Sequence, residues 1–133
     1  MSGLLVPVSP GELLDKITIL RIKSARIGDG AKLANVRHEL EMLEHTWRES
    51  PYAGAGPNND VSAETAALEA VNARLWEIED DIRDKERART FDARFIELAR
   101  SVYIENDERA RLKRRINDKL GSAIVEEKSY RKY

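Results

Sequence analysis

Apolar residues recur at intervals of three and four along most of the chain, which is the spacing of one face of an α-helix. The most regular series runs through Leu68, Val71, Leu75, Ile78 and Ile82. Three other segments carry similar series, and short connections join the first helix to the second and the third to the fourth. The pattern therefore predicts an all-α fold, an antiparallel bundle of four main helices.

Capping and turn residues mark the ends of the first two helices. Ser9 and Glu12 form a predicted capping box with Pro10 at the first helical position, which marks the start of helix 1. We expect this helix to run to about Ile27. Helix 2 is predicted to follow a cap at Asp29 and to end before Pro51. Helix 1 is apolar on more than one face, so we expect it to be the central helix.

The second half of the chain predicts two longer helices. Helix 3 is expected to be capped by Ser62 and to continue to about Ala88, and helix 4 is expected to end at Gly121. The apolar series of helix 4 is interrupted around Asn106 and Asp107, where a new helix cap is available. We therefore predict that helix 4 is either kinked or divided there. The terminal runs LLVPV and AIVEEKSY are expected to form short extended tails.

Length and charge narrow the possible partners. The chain has 133 residues, which suits a single helical domain spanning 1–133. Lys and Arg total 23 against 24 Asp and Glu, a net charge of -1, so no global field attracts nucleic acid or an anionic membrane. We expect neither nucleic acid nor a membrane as a partner.

The sequence also lacks the apolar segments that direct a protein to or across a membrane. No apolar run approaches the roughly 20 residues of a membrane span. The N-terminal apolar run, which Pro7 interrupts, does not have the pattern of a signal peptide.

The chain contains no cysteine, which excludes disulfides, thiolate metal sites and cysteine nucleophiles. A reducing, cytoplasmic location is compatible with this composition. Phosphate-binding glycine loops and the GxSxG serine hydrolase signature are also absent from the sequence. We predict no catalytic residue.

Two acidic patterns are similar to known metal-binding motifs. The string DDIRD at 80–84 matches the DDxxD motif with which isoprenoid synthases hold Mg²⁺-diphosphate. A second set is similar to the paired carboxylates of all-α nucleotide pyrophosphohydrolases, and it consists of Glu41, Glu44, Glu77 and Asp80. Because most of these carboxylates lie off the apolar series, we interpret both patterns as solvated faces and predict no metal site and no cofactor.

A basic run extends from Arg109 to Lys119 and contains six cationic side chains and one acidic one. Cations are favoured near the C-terminal end of a helix, which gives the run a structural explanation. Since the whole chain is close to neutral, we do not interpret the run as a nucleic-acid surface.

Polar residues flank the apolar series of three helices at helical spacing. The candidate ligand-binding set is Asp15, Lys16, Asn72, Trp76, Glu79, Arg83, Tyr103, Asn106 and Lys113. One interpretation is that these residues bond to one another and set the register of the helices. The other is that they line a polar groove between helices that binds a phosphorylated or acidic metabolite through Lys16, Arg83 and Lys113.

Four strings resemble a small family of uncharacterised bacterial proteins, a domain of unknown function: SPGELLDKITIL, VNARLWEIEDDIR, FDARFIELARSVYIEND and LGSAIVEEKSY. The resemblance spans nearly the whole chain and implies a bacterial, mostly helical protein without assigning a catalytic residue. Chorismate mutase is similar in outline, but its active-site glutamine has no counterpart, because this chain contains no glutamine.

These observations favour a non-catalytic binding or interaction protein, with a small-molecule binding protein or enzyme as the alternative. Helices 3 and 4 are predicted to be longer than helices 1 and 2, so one end of the longer hairpin should project and leave Ile78, Ile82, Phe91 and Phe95 uncovered. We therefore expect a homodimer. Trp76, which lies outside the apolar series of helix 3, is expected to be covered by a partner, a tail or a ligand.

Overall fold

The computed structural model describes residues 3–54, 56 and 59–133. It contains four α-helices, α1 (Pro10–Arg26), α2 (Gly30–Arg48), α3 (Ser62–Arg87) and α4 (Ala93–Leu120), and a short 3₁₀ helix at Pro51–Ala53. The described residues include no β-strand, and residues 3–8 and 124–133 have no regular secondary structure. The predicted all-α class and the four main helices are confirmed.

Helix α1 is the centre of the molecule. It packs against α2, α3 and α4, and nine of its seventeen residues are buried. Its Ile17, together with Leu68 of α3 and Ile116 of α4, lies in the middle of the apolar core. The expectation of a central first helix is therefore correct, and the two-sided apolar pattern was the right signal for it.

Helix α2 is attached to this core on one side only. It packs against α1 and makes no comparable contact with α3 or α4, and none of its residues is fully buried. Leu40, Leu43 and Trp47 touch the core but remain partly exposed. The contact pattern is therefore a three-helix core of α1, α3 and α4 with α2 laid against α1.

Local bonds account for most of the helix ends. The Ser9 hydroxyl accepts a hydrogen bond from the amide of Glu12 at 3.1 Å, and the Asp29 carboxylate caps α2 through the amide of Lys32 at 3.0 Å. Gly121 follows α4 in the left-handed conformation with φ 66°, as expected of a helix-ending glycine.

The predicted cap of α3 at Ser62 and the predicted division of α4 are wrong, whereas a kink of α4 near Asn106 stays a prediction. Ser62 does not cap α3; it is the first helical residue, and its amide and hydroxyl donate to the Asp60 carboxylate. Helix α4 does not divide at Asn106 and Asp107 but continues through both. The side-chain amide of Asn106 donates to the carbonyl of Val102, one turn back, so its polar group is satisfied within the helix and no new cap forms.

Ion pairs connect α3 and α4 along their whole length. They join Glu64 to Lys119, Arg74 to Glu105, and Asp81 to Arg94. The residue numbers rise along one helix as they fall along the other, which is the order expected of neighbouring antiparallel helices.

Candidate functional site

A buried polar network lies where α1, α3 and α4 meet. Its centre is Asp15 of α1, whose side chain is only 1% exposed. Arg109 of α4 binds this carboxylate with two hydrogen bonds, from Nε to Oδ1 at 2.8 Å and from Nη2 to Oδ2 at 2.5 Å. The side-chain amide of Asn72, on α3, donates to Asp15 Oδ1 at 2.9 Å and to the hydroxyl of Thr18 at 3.0 Å. Three helices are thus held by one carboxylate.

The charges of this network stabilise one another. Burial by itself raises the pKa of Asp15, but the hydrogen bonds from Arg109 and Asn72 and the positive charges of Arg109 and Lys113 outweigh it and hold the pKa below its ordinary value of 3.8. The hydrogen bond to Asp15 correspondingly raises the pKa of Arg109. Asp15 is therefore an ionised, fully paired carboxylate at neutral pH, a poor proton donor or acceptor for catalysis.

A second group of ion pairs joins the start of α1 to α4 and the C-terminal tail. Lys113 is buried, and its ammonium group donates to Glu12 at 2.6 Å and lies 3.1 Å from the Glu126 carboxylate. Burial alone lowers the pKa of Lys113, whereas the bonds to both carboxylates raise it, and the net shift is upward. The hydrogen bond from Lys113 lowers the pKa of Glu126. Lys113 is thus a cation already neutralised by its neighbours.

Close backbone packing accompanies these bonds. The amide of Gly11 donates to Asn117 Oδ1 at 2.7 Å. A Cβ atom placed on Gly11 would lie 2.6 Å from the carbonyl oxygen of Lys113, nearer than van der Waals contact permits. Glycine at this position lets α1 approach the backbone of α4.

The structure brings together some of the predicted site residues and leaves others apart. Asp15, Asn72 and Asn106 belong to the network around Asp15, Asn106 by accepting a long 3.4 Å hydrogen bond from Arg109. Lys113 lies in the neighbouring group of ion pairs with Glu12 and Glu126. The others do not join the network: Lys16, Trp76, Glu79, Arg83 and Tyr103.

The residues outside the network have surface surroundings of their own. Arg83 pairs with Glu79 one turn away on the exposed face of α3. Tyr103 is exposed and packs edge to face against Tyr133, with ring centroids 5.0 Å apart. Lys16 is exposed, and Trp76 is partly exposed.

Sequence reasoning missed Arg109, the strongest partner in the network, because it was assigned to the basic run. The spacing of Asn106, Arg109, Lys113 and Asn117 along α4 places them on one face, and this signal was available in the sequence. Five of the six cations of that run are paired with carboxylates: Arg109, Arg111, Lys113, Arg114 and Lys119.

The acidic patterns do not converge on a metal-binding arrangement. Asp80, Asp81 and Asp84 are exposed, and Asp84 pairs with Arg87 at 2.5 Å. Glu44 on α2 lies near Arg21 and Arg48, whereas Glu77 on α3 pairs with Arg26. Among the described residues, no group of three carboxylate, histidine or cysteine side chains is placed to hold a metal ion.

Residues 4–133, nearly the whole chain, match the model of DUF6165, a family of unknown function. The chain belongs to this family. The resemblance to a domain of unknown function is thereby confirmed, and the match includes both tails as well as the four helices. No curated protein and no solved structure is significantly similar to the chain. None of the described helices has the length and apolar composition needed to cross a membrane.

Proposed function

We propose that this protein is a non-catalytic interaction protein that associates with a second copy of itself. The observation that carries the proposal is the contrast between its polar and apolar groups. The buried polar groups that meet between α1, α3 and α4 bond to one another, whereas large apolar side chains at one end of the α3–α4 hairpin remain uncovered. Polar groups that are hydrogen-bonded to one another hold the helices in register. An uncovered apolar surface is, by contrast, typical of a site that binds a partner protein.

The small-molecule alternative has little support at the polar residues. It required Lys16, Arg83 and Lys113 to neutralise one acidic ligand. In the structure Lys113 is bonded to two carboxylates and Arg83 to Glu79. These cations have closer partners within the chain, so the network supports a structural role in preference to ligand capture.

The uncovered surface is the hairpin tip, which we define as residues 78–97. Helix α1 ends at Arg26, whose guanidinium group binds Glu77, so the tip extends past the end of α1. Phe91 and Ile96 are 54% and 57% exposed, and Phe95, whose ring centroid lies 5.1 Å from that of Phe91, is partly exposed. Exposed apolar patches of this kind are typical of protein interfaces.

Several of the charged side chains at the hairpin tip are paired within the chain. Lys85 binds Asp92 at 3.0 Å, and Arg94 binds Glu97 at 2.9 Å. The tip carries seven carboxylates and five cations, so these pairs reduce, but do not remove, the repulsion between two copies of the tip. A two-fold partner covers the same apolar patch on both molecules.

Light scattering after size-exclusion chromatography tests the proposal. At tens of micromolar protein we expect a mass of about twice 15.2 kDa. Replacing an exposed apolar side chain of the tip, Ile96→Asp, should raise the dimer dissociation constant about tenfold or more, because it places an unpaired charge in an apolar contact. Met42→Asp, which alters a comparably exposed apolar residue of α2, is the control. A mass of one chain for the unmodified protein would refute the proposal.

We also propose a bacterial and cytoplasmic setting, with neither nucleic acid nor membrane as a partner. The bacterial source rests on the family resemblance of the sequence, and the cysteine-free composition is compatible with a reducing cytoplasm. The pairing of the basic run within the chain argues against a nucleic-acid surface. A thermal-shift screen with nucleotides, sugar phosphates and divalent metals tests the non-catalytic assignment, since a ligand of the folded state raises the melting temperature. A saturable shift abolished by Lys113→Gln would favour the small-molecule alternative.

A further inference from the structure

The N-terminal tail, residues 4–8, is an apolar segment without a binding surface of its own. Leu4 and Leu5 are 97% and 100% exposed, and Val6 and Val8 are also exposed. Within the described chain, the backbone of this segment makes no hydrogen bond to other residues. The family match begins at Leu4, so the segment belongs to the family pattern. Four aliphatic side chains and a proline in water are a sizeable apolar surface that a partner could cover.

An open cleft lies at the end of the molecule where this tail begins. It is formed by the first half of α1, the last turns of α2, described residues of the connection that follows α2, and the first turns of α3, and its volume is about 500 Å³. Leu14, Ile17 and Val61 form an apolar floor, and Trp47 and Tyr52 also line it. The cleft exists because α2 packs against α1 without closing on α3. Its volume falls within the roughly 300–1,000 Å³ typical of ligand pockets.

The charges of the cleft favour an uncharged occupant. Arg21 and Arg48 lie 3.7 Å and 3.9 Å from the carboxylate of Glu44, and Glu69 supplies a second negative charge on the α3 side. Two cations and two anions leave no net charge to attract an anionic ligand. The tail has no ionisable side chain and offers only aliphatic groups to the apolar floor.

We propose that the N-terminal tail of one copy occupies the cleft of a second copy, so that two chains exchange their tails. This inference rests on the proposed self-association. Exchange of identical segments between two copies is a common way to build a symmetric dimer. Pro7 restricts the free tail to few conformations, which reduces the entropy lost when the tail is bound.

In the structure the tail does not occupy the cleft of its own chain. None of residues 4–8 lines the cleft, and Leu4 and Leu5 are almost fully exposed. The buried Ser9 and Gly11 fix the point at which the tail leaves α1. The cleft of one chain is therefore available to the tail of a second copy.

The exchange also predicts the symmetry of the dimer. The cleft and the tail lie at the N-terminal end of α1, and the hairpin tip lies beyond its C-terminal end. One dimer can cover both the cleft and the hairpin tip if its two-fold axis is roughly parallel to α1. The two copies then lie side by side and point in the same direction. The tips then meet at one end and the tails cross at the other.

Site-specific cross-linking tests the exchange, and the cysteine-free chain is a clean background for it. We would mix an affinity-tagged Leu5→Cys chain with an untagged Ala66→Cys chain, allow subunits to exchange, and add a short bis-maleimide. Ala66 lines the cleft. A covalent tagged–untagged dimer is expected in high yield. Ala31→Cys, at an exposed position in the first turn of α2 and outside both the cleft and the hairpin tip, replaces Ala66→Cys in the control and should give little product.

The double variant, with both cysteines in one chain, separates exchange from self-occupation. A two-chain product in which peptide mapping shows position 5 of one chain linked to position 66 of the other supports the exchange. An internally linked single chain would show that the tail occupies its own cleft and would overturn the exchange. Efficient linking of position 5 to Ala31→Cys would place the tail away from the cleft and would also overturn it.

A second measurement does not depend on cross-linking. Leu5→Asp should raise the dimer dissociation constant about tenfold, while Tyr130→Asp, at an exposed position of the other tail, should not change it. If the unmodified protein is monomeric, the proposed self-association fails. If it is dimeric, but Leu5→Asp has no effect and position 66 is not linked, only the tail exchange fails.

Discussion

Gly11 shows how a single missing side chain determines the distance between two helices. A Cβ atom at this position would lie 2.6 Å from the backbone carbonyl oxygen of Lys113, and a backbone atom cannot move aside as a flexible side chain can. We therefore expect Gly11→Ala to lower the free energy of unfolding by about 1–3 kcal/mol, although alanine has the higher helix propensity.

Urea unfolding followed by circular dichroism measures this effect. Gly30→Ala is the matched control, because Gly30 also lies in the first turn of a helix and a Cβ there would meet no atom within 4 Å. Equal unfolding midpoints for the two variants would contradict the close approach of α1 to α4.

The bond between Asp15 and Arg109 gives the stability of the protein a pH dependence of known sign. Because the folded protein holds the pKa of Asp15 below its ordinary value of 3.8, the unfolded chain binds a proton more readily than the folded one. The stabilisation is fully present above the unfolded pKa and is lost as the pH falls through the lower, folded pKa.

Asp15→Asn tests this dependence. At pH 7 we expect a loss of about 2–3 kcal/mol, less than for a fully buried pair because Arg109 retains some exposure to solvent. The difference in unfolding free energy between the unmodified protein and the variant should shrink as the pH falls below about 3.8. A difference that stays constant down to pH 2.5 would contradict an ionised Asp15.

At the scale of elements, α1 begins with a side-chain cap that the sequence predicted correctly. The Ser9 hydroxyl accepts from the amide of Glu12, but the Glu12 carboxylate binds Lys113 of α4 instead of completing the predicted capping box. Ser9→Ala should therefore lower the unfolding free energy by about 1 kcal/mol. Ser129→Ala, in the exposed C-terminal tail, should leave the urea midpoint unchanged. An unchanged midpoint for Ser9→Ala would mean that the cap contributes nothing.

The errors about α3 and α4 have a common cause. Asn106 with Asp107, and Ser62 after Asp60, are residues that favour helix starts, and local preference predicted a cap in both places. In the structure the Asn106 side chain bonds back to Val102, and Ser62 donates to Asp60. A polar side chain in a helix or near its end can form hydrogen bonds with several nearby groups. The conformation and surroundings of the whole turn determine which of these bonds forms.

At the scale of the whole molecule, the helices differ in how firmly they are held. Nine residues of α1 are buried, whereas α2 has no fully buried residue and packs mainly against α1. An element with few buried contacts opens more readily than the core of the same protein. The amides of α2 should therefore exchange with deuterium faster than those of α1.

Hydrogen–deuterium exchange followed by mass spectrometry distinguishes the two helices. It should be recorded at a protein concentration low enough to favour the single chain, because an exchanged tail in the cleft would protect the end of α2. Equal protection of α1 and α2 in the single chain would contradict the one-sided attachment of α2.

The sequence alone determined the helical class, the positions of the four helices and the central place of α1. These properties depend on residues within one or two turns of each other, through periodic apolar positions and through caps such as Ser9, Asp29 and Gly121. Helical spacing also revealed the polar positions beside the apolar series, so Asp15, Asn72 and Lys113 could be predicted as members of a polar site.

Only the tertiary structure decided which polar side chains meet and which surfaces stay open. Arg109 reaches Asp15 across 94 positions of sequence, and Asn117 accepts the amide of Gly11 across 106. Such pairs depend on the rotation and offset of one helix against another, and these are set by the packing of all the helices together. For the same reason the one-sided attachment of α2, and the cleft that it leaves beside α3, could not be predicted from a periodic sequence.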